Sequence, residues 1–391
     1  MSGDRRILVT CGRFHPATGI VRALHQGPCR IDVVDSFKLA TAMHSNAVAK
    51  LHVAAAAAPD PVQYAQDIAE IVQQRGIDLV VPSYEDGFFL ARYADKILAP
   101  LFAPTFETIA HLHDKARFIE LCAGLGLPAP KTEVVASRED LRTAIGQFDA
   151  YVARPAYSRG GMVYLTNHGP RSGEIGLDDC DPTAENPWLV QDYIEGNDAC
   201  SFSVVRNGRI LVHCVYEPTI QASGGFSVQF SSIEDFGSLE VTSTICARFN
   251  YTGFIGFDFR RTADGFVMME CNPRSSAGVF LTPKAWVADA IVGDPTETRI
   301  VEPGARRQYD AFLFQPGMVQ LPARRLVQEL LTTPDVYISA EDMLPALYFF
   351  INLRHWSKRA EREHIDFGQA FIGDVSWDGA PMPDWPTTTA R

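Results

Sequence analysis

The stretch that most restricts the fold is Gly256-Phe257-Asp258-Phe259, followed after a short turn by Glu270-Cys271-Asn272-Pro273-Arg274. Between the two runs lies Thr262-Ala263-Asp264-Gly265, a hairpin signal in which Gly265 suits the positive φ that closes a three-residue loop. With residues 263–265 as the loop, Asp258 falls directly opposite Glu270. Directly opposed side chains share a face, about 5 Å apart at Cβ. Asn272, two residues on, joins that face. The other face carries Ile255, Phe257, Phe259, Val267, Met269 and Cys271, all apolar. One face is therefore core, and the other presents two carboxylates and an amide. Two carboxylates that close repel each other unless a cation lies between them or one takes a proton. Few, hard oxygen ligands suit Mg²⁺ held partly by the phosphates of a nucleotide. The same pattern also fits a half-exposed hairpin with an incidental acid pair.

At 391 residues, 46% of them hydrophobic and 24 of them Phe, the chain can bury two or three cores. Its net charge of −12 and the lack of a basic run exclude a general nucleic-acid binder, which needs a clustered basic footprint. No apolar run is long enough to span a bilayer, and residues 7–9 are too short for a signal-peptide core. The eight cysteines are scattered with no CxxC, which reads as buried reduced thiols in a cytoplasmic protein.

Residues 5–105 alternate strand and helix: strands at 6–10, 30–35 and 79–82, helices at 16–25 and up to Arg75, stopped by Gly76. This predicts an open parallel sheet. The first turn, Gly12-Arg13-Phe14-His15-Pro16-Ala17, lacks the second glycine of a dinucleotide fingerprint, which argues against a nicotinamide dehydrogenase. His15 and Glu85 lie just past strand ends, where such sheets bind ligands, and equally read as ordinary loop residues. Residues 111–125 read as one helix, followed by a stiff linker at 127–132. Strands are predicted at 151–155 and 188–193, and β-rich sequence continues to 274. Residues 311–331 read as a strand and then a helix, 343–356 as a helix, and the tail from Pro381 as loose. The segment 374–379 points to no chemistry by itself.

Several residues of the middle region form an ordered series. Lys115 lies near the start of a helix, Arg154 lies at the end of a strand, and Ser158-Arg159-Gly160-Gly161 can form a mobile loop whose amides face phosphate oxygens. The backbone of Gln191-Asp192-Tyr193-Ile194 could read a base. Asp258, Glu270 and Asn272 supply the metal ligands, and Arg274 follows. Each feature alone is weak; the order and spacing together are specific.

Across residues 5–300 this series resembles the ATP-grasp superfamily, above all the branch like the large subunit of carbamoyl phosphate synthetase. The resemblance rests on the preceding α/β region, the helix carrying Asp114-Lys115, Gly-Leu-Pro-Ala-Pro-Lys-Thr at 126–132, Arg154-Pro155 with its loop, and Glu-Cys-Asn-Pro-Arg at 270–274. It implies an N-terminal open parallel α/β sheet (1–105) and an ATP-grasp fold (106–300) with a mobile lid subdomain at about 130–195. A C-terminal extension (301–391) follows. It further implies ATP and Mg²⁺ as cofactors. Lys115 and Arg154 then contact phosphates beside Ser158, Gly160 and Gly161, with Gln191, Asp192, Tyr193 and Ile194 along the adenine. Asp198 takes the ribose, Asp258, Glu270 and Asn272 hold Mg²⁺, and Arg274 meets the transferred phosphoryl group or the acceptor carboxylate. The sequence departs from the family in lacking a third loop glycine, in having Asp198 where Glu is usual, and in having Arg154 where many members have Lys.

The implied activity joins a small-molecule carboxylate, an amino acid or a specialised metabolite, to an amine through an acyl phosphate, with release of ADP and phosphate. The residue inventory agrees, with cations and metal ligands but no Gly-x-Ser-x-Gly. Phosphorylation of bicarbonate or carbamate, and a non-catalytic ATP-binding role, are the alternatives. Glu217, Ser227 and Gln229 are open as acceptor contacts or ordinary strand polar groups, and 301–391 as a cap on the acceptor pocket or a homodimer surface.

Overall fold

The computed structural model describes residues 4–159, 163–222, 226–314 and 318–386. The chain begins with β1 (Arg5–Thr10), α1 (His15–Leu24), β2 (Cys29–Asp35), β3 (Val48–Val53), α2 (Pro61–Arg75) and β4 (Leu79–Pro82). These strands form a parallel sheet in the order β3-β2-β1-β4, as the alternating pattern predicts. β3, whose side chains are mostly exposed, gives no apolar run and was not legible in the sequence. Ile7, Leu8 and Val9 are all fully buried, because helices cover both faces of β1. Since β2 and β4 flank β1 on opposite sides, the crevice between the ends of β1 and β4 is the switch point of the sheet.

Next come α3 (Asp86–Arg92), α4 (Phe106–His113) and α5 (Lys115–Gly124). The single helix expected over 111–125 is broken at Asp114. The Asp114 side chain accepts from the amides of Ala116 (2.8 Å) and Arg117 (3.2 Å) and so starts a new helix at Lys115.

A small antiparallel sheet, in the order β5-β8-β6-β7, holds β5 (Thr132–Val135), β6 (Tyr151–Pro155), β7 (Leu165–Thr166) and β8 (Trp188–Asp192), with α6 (Arg138–Ile145) packed on it. The large sheet follows, built from β9 (Asn197–Arg206), β10 (Arg209–Gln221), β11 (Ser227–Ser232), β12 (Gly253–Thr262) and β13 (Gly265–Asn272), with α7 (Ser238–Arg248) after β11. After α8 (Lys284–Val292), β14 (Arg299–Ile300) pairs with β10, and β15 (Arg306–Gln308) extends the sheet to β13-β12-β9-β10-β11-β15. The chain then forms α9 (Asp310–Leu313), α10 (Ala323–Thr332), α11 (Leu344–Glu363) and α12 (Phe367–Ile372). The strand expected near 311 is instead β15, a few residues earlier, and α9 occupies that place.

One apolar core joins the first sheet to the large one. Ile7, Val9 and Val33 pack with α1 and α8 against Phe202, Val204, Cys214 and Phe230, and the last third of the chain adds Tyr309, Phe312, Tyr337 and Phe349. The C-terminal segment is also tied down by charge. Arg13 is buried, donating through Nη2 to Asp35 (2.6 Å) and through Nη1 to Asp374 (2.9 Å), and it lies over the Trp356 ring at 4.7 Å. Arg22 pairs with Asp342 at 2.8 Å. Replacing Arg13 by Met leaves Asp35 without its buried cation, which costs about 3–5 kcal/mol. Urea unfolding should show that loss, and a loss under about 1 kcal/mol would remove the anchoring role.

Candidate active site

The hairpin of β12 and β13 places Asp258 opposite Glu270, as the sequence predicts, but by a different route. Thr262 pairs with Gly265, so the loop holds only Ala263 and Asp264. The register then shifts between Asp258 and Phe259, where Met269 is an extra residue, and this β-bulge restores the Asp258–Glu270 rung. Gly265 has the expected positive φ, 142°. The bulge also corrects the apolar face: Met268 is fully buried beneath Phe257 and Phe259, whereas Val267 and Met269 are only partly buried.

Two cations from other elements meet Glu270. Lys115, the first residue of α5, puts Nζ 3.4 Å from Glu270 Oε2 and donates to the Ser158 carbonyl at 2.6 Å. Arg154, at the end of β6, donates through Nη1 to the same Oε2 at 3.1 Å and through Nη2 to the carbonyl of the bulged Met269 at 2.8 Å. Its Nε donates to Gln191 Oε1 (3.1 Å), and Gln191 is held in turn by Thr132. Burial alone would raise Glu270, but Lys115 and Arg154 outweigh it and hold the carboxyl ionised. Burial and the neighbouring Glu270 push Asp258 the other way, well above the usual carboxylate range. Asn272 Nδ2 donates to Asp258 Oδ2 at 3.2 Å, and Arg274 Nη2 donates to Asn272 Oδ1 at 3.0 Å.

Two opposed carboxylates and an amide oxygen are a hard donor set, and a divalent cation there would relieve the pressure on Asp258 to protonate. Among the described residues no cluster of three or more His, Cys, Asp or Glu could hold a metal ion. Two carboxylates and an amide oxygen supply only part of a coordination shell, which suits an ion that takes its remaining ligands from water and phosphate, as Mg²⁺ does.

The other predicted residues lie around this centre. The Gln191 backbone is part of the ladder to both β5 and β6, the Asp192 amide donates to Lys131 O, and the Tyr193 amide to Ala150 O. Among the described residues, the Ile194 peptide is the one of these four left without a backbone partner. Asp198 pairs with Arg260 at 2.8 Å. Ser158 donates to Pro155 O, while Gly160 and Gly161 lie outside the described residues, as does most of the turn at 222–225. Gln229 is buried in a polar cluster with Gln308, Glu329 and Arg306. Glu217 stands 3.6 Å from Arg261 and Ser227 merely opens β11, so none of these three joins the centre.

Sequence reasoning missed the weight of Glu85. It is fully buried just past β4, and Arg159 Nε donates to both its oxygens at 2.9 Å. The Trp377 amide donates to it at 3.0 Å, and Arg274 Nε lies 3.6 Å away. Arg159 also donates to the Trp377 carbonyl, so the segment 374–379 is part of this junction. An Arg before two glycines and a Trp just ahead of the Pro-rich tail carry no signal of such long-range pairing.

The ATP-grasp domain family matches residues 112–278, the stretch that contains every residue of the Glu270 centre. Residues 112–278 form an ATP-grasp domain. The arginine-specific carbamoyl phosphate synthase large chain of Bacillus subtilis is 22% identical over 250 residues, 60% of this chain and 24% of that one. The chain thus spans about a quarter of the length of the curated relatives it matches. N5-carboxyaminoimidazole synthetase of Staphylococcus aureus, solved with ADP, superposes with a TM-score of 0.62 at 11% identity over 78% of this chain and 82% of that one. The biotin carboxylase domain of Hydrogenobacter thermophilus 2-oxoglutarate carboxylase, solved with MgADP and bicarbonate, gives 0.59 at 15% identity over 76% and 72%. These likenesses establish a shared ATP-grasp fold. Among the described residues no helix is long and apolar enough to cross a membrane.

Burial would raise the Glu85 carboxyl, yet Arg159 and its other cationic neighbours hold it down to about 2, below its ordinary 4.5. Between these values the unfolded chain binds a proton that the folded chain does not, so stability falls as pH falls through that window. The shift corresponds to about 3 kcal/mol at neutral pH. Glu85→Gln should therefore unfold at lower urea than wild type at pH 7, with the gap narrowing below pH 4.5. A gap that stays constant with pH would contradict this.

Proposed function

We propose that this chain is an ATP- and Mg²⁺-dependent ligase that activates a small-molecule carboxylate as an acyl phosphate and joins it to an amine. The observation that carries this reading is the convergence of Lys115 and Arg154 on Glu270 Oε2, on the rung that Glu270 shares with Asp258. Cations arranged around an acid pair suit a site in which phosphate charge must be held and moved. The ATP-grasp domain and the nucleotides bound by its structural neighbours support the same reading.

In this account a carboxylate oxygen attacks the terminal phosphorus of ATP and the bond to ADP breaks. The amine nitrogen then attacks the acyl carbon, phosphate leaves with the C–O bond, and the nitrogen loses a proton. Lys115 and Arg154 neutralise the phosphoryl oxygens, Arg154 with a planar fork and Lys115 as a point charge. Asp258, Glu270 and Asn272 would hold Mg²⁺, which when bound supplies further positive charge at those oxygens. Ser158, Gly160 and Gly161 would cover the phosphates, and the Ile194 peptide would read the base on an edge shaped by Gln191, Asp192 and Tyr193. Asp198 would reach the ribose by giving up Arg260. Arg274 would orient the acceptor carboxylate.

The likeness to carbamoyl phosphate synthase favours a second reading, phosphorylation of bicarbonate or carbamate. A ligase releases ADP only with both acid and amine present, a bicarbonate-phosphorylating enzyme does so with bicarbonate, and a binding protein with neither. We also propose a cytoplasmic location, in keeping with eight free cysteines, and a homodimer for which exposed Leu347 and Phe350 supply apolar surface.

Glu270→Gln should abolish turnover, and the fold, checked by circular dichroism, should survive at lower stability, because the amide keeps the shape but leaves Lys115 and Arg154 without their anion. Retention of more than about a tenth of wild-type activity would mean under about 1.4 kcal/mol of lost transition-state stabilisation and would end the proposed role. Lys115→Ala and Arg154→Ala should each raise the KM for ATP and lower kcat, with Arg154→Lys only partly active. Wild-type ATP affinity by calorimetry in both alanine variants would take the two residues out of the site.

A further inference from the structure

We propose that the acid this chain activates has an apolar, ring-sized body, seated on the aromatic wall of Phe14, Tyr84 and Phe226 with its carboxylate on Arg274. The inference rests on the ligase reading above and names its substrate class.

The wall follows from the topology. Phe14 follows β1 and Tyr84 follows β4, so both stand at the switch-point crevice of the first sheet, where ligands of open α/β sheets bind. Their rings meet at 4.1 Å. The Arg274 guanidinium, carried in from the end of β13, lies 4.8 Å from the Tyr84 ring and 5.6 Å from the Phe14 ring. The aromatic surface continues through His15, 6.1 Å from Phe14, to Phe226 at 6.2 Å and Tyr309 at 4.9 Å. Phe226, the residue before β11, is 38% exposed, and Phe14 is half-buried. Phe14, half-buried beside Arg274, and exposed Phe226 lie at the two ends of a group backed by the buried rings of Tyr84, His15 and Tyr309, and Arg274 is itself linked to the acid pair through Asn272, an arrangement suited to a ligand with an apolar body and an anionic end.

The polar groups around the wall narrow the class. Burial lowers the His15 imidazole to about 3, so it stays neutral, and its Nδ1 is bonded to the Tyr337 hydroxyl at 2.5 Å. The neighbouring carboxylates are engaged: Glu85 by Arg159 and the Trp377 amide, Asp335 by the amides of Asp310, Tyr337 and Ile338, and Asp310 by Gln308. These carboxylates already hold donors of their own, so none stands free as a dedicated partner for an α-ammonium on the acid, and burying that charge unpaired is costly. A monocarboxylate with an uncharged body meets no such cost.

The test is hydroxamate formation with hydroxylamine as the amine, ATP and Mg²⁺ present. Phenylacetate, cinnamate and hexanoate are compared with glutamate, glycine and bicarbonate. The expected result is a kcat/KM at least about tenfold higher for the ring acids than for glutamate or glycine. Phe226→Ala should raise KM for the ring acid about tenfold with a smaller change in kcat, and Phe226→Leu should restore most of it. Preference for glutamate or glycine, or a Phe226→Ala variant with wild-type KM for the ring acids, would overturn the inference and leave the ligase reading standing, whereas preference for bicarbonate would overturn both in favour of the bicarbonate-phosphorylating reading. No ADP release with any acid of either set would overturn both.

Discussion

Glu270 is a carboxylate that two cations from separate parts of the chain need in common. Lys115 reaches it from the start of a helix and Arg154 from the end of a strand in the small sheet, and Asp258 faces it across the hairpin. The small sheet is docked to the large one partly through this oxygen and the neighbouring Met269 carbonyl. The bulge that frees that carbonyl also sets the Asp258–Glu270 rung. Removing the carboxylate would leave two largely buried cations without their anion, so the same residue positions the site and resists its loss. An acid pair held in this way, with one member ionised and the other pressed toward protonation, is poised for a divalent cation.

A second junction, at Glu85, connects the first sheet to the remainder of the chain. Arg159, Arg274 and the Trp377 amide all address a carboxylate with no exposure to solvent. Together with Arg13, which pairs with both Asp35 and Asp374, it draws the C-terminal segment back over the open end of the parallel sheet. The crevice where such a sheet binds ligands is thereby bounded by Arg274 on one side and by aromatic side chains of the C-terminal segment on another. That placement explains why so distant a stretch of sequence belongs to the same core.

Much of this was legible in the sequence where the pattern is local. The β12–β13 hairpin, the strand ending in Arg154, the parallel first sheet and the cap at Gly76 all follow from alternation and turn residues. The Asp258–Glu270 pairing was reached through a loop one residue too long, and the bulge at Met269 compensated; period-two reasoning has no means of placing a bulge. The helix expected over 111–125 runs through Asp114, whereas the Asp114 side chain caps the following turn and so divides it, a choice between cap and interior that one sequence does not settle. Glu85, Arg159 and Trp377 were beyond reach for a different reason. Their partners lie 74 and 292 residues away, and no spacing rule carries over such distances.

In the proposed reaction, charge at the Glu270 centre serves transfer of a terminal phosphoryl group to a carboxylate. The most direct measurement is isotopic. With an acid labelled with oxygen-18 in its carboxylate, and with the amine present, ADP is expected in one-to-one ratio with amide and one labelled oxygen in each released phosphate. AMP as the nucleotide product, or phosphate free of label, would contradict it.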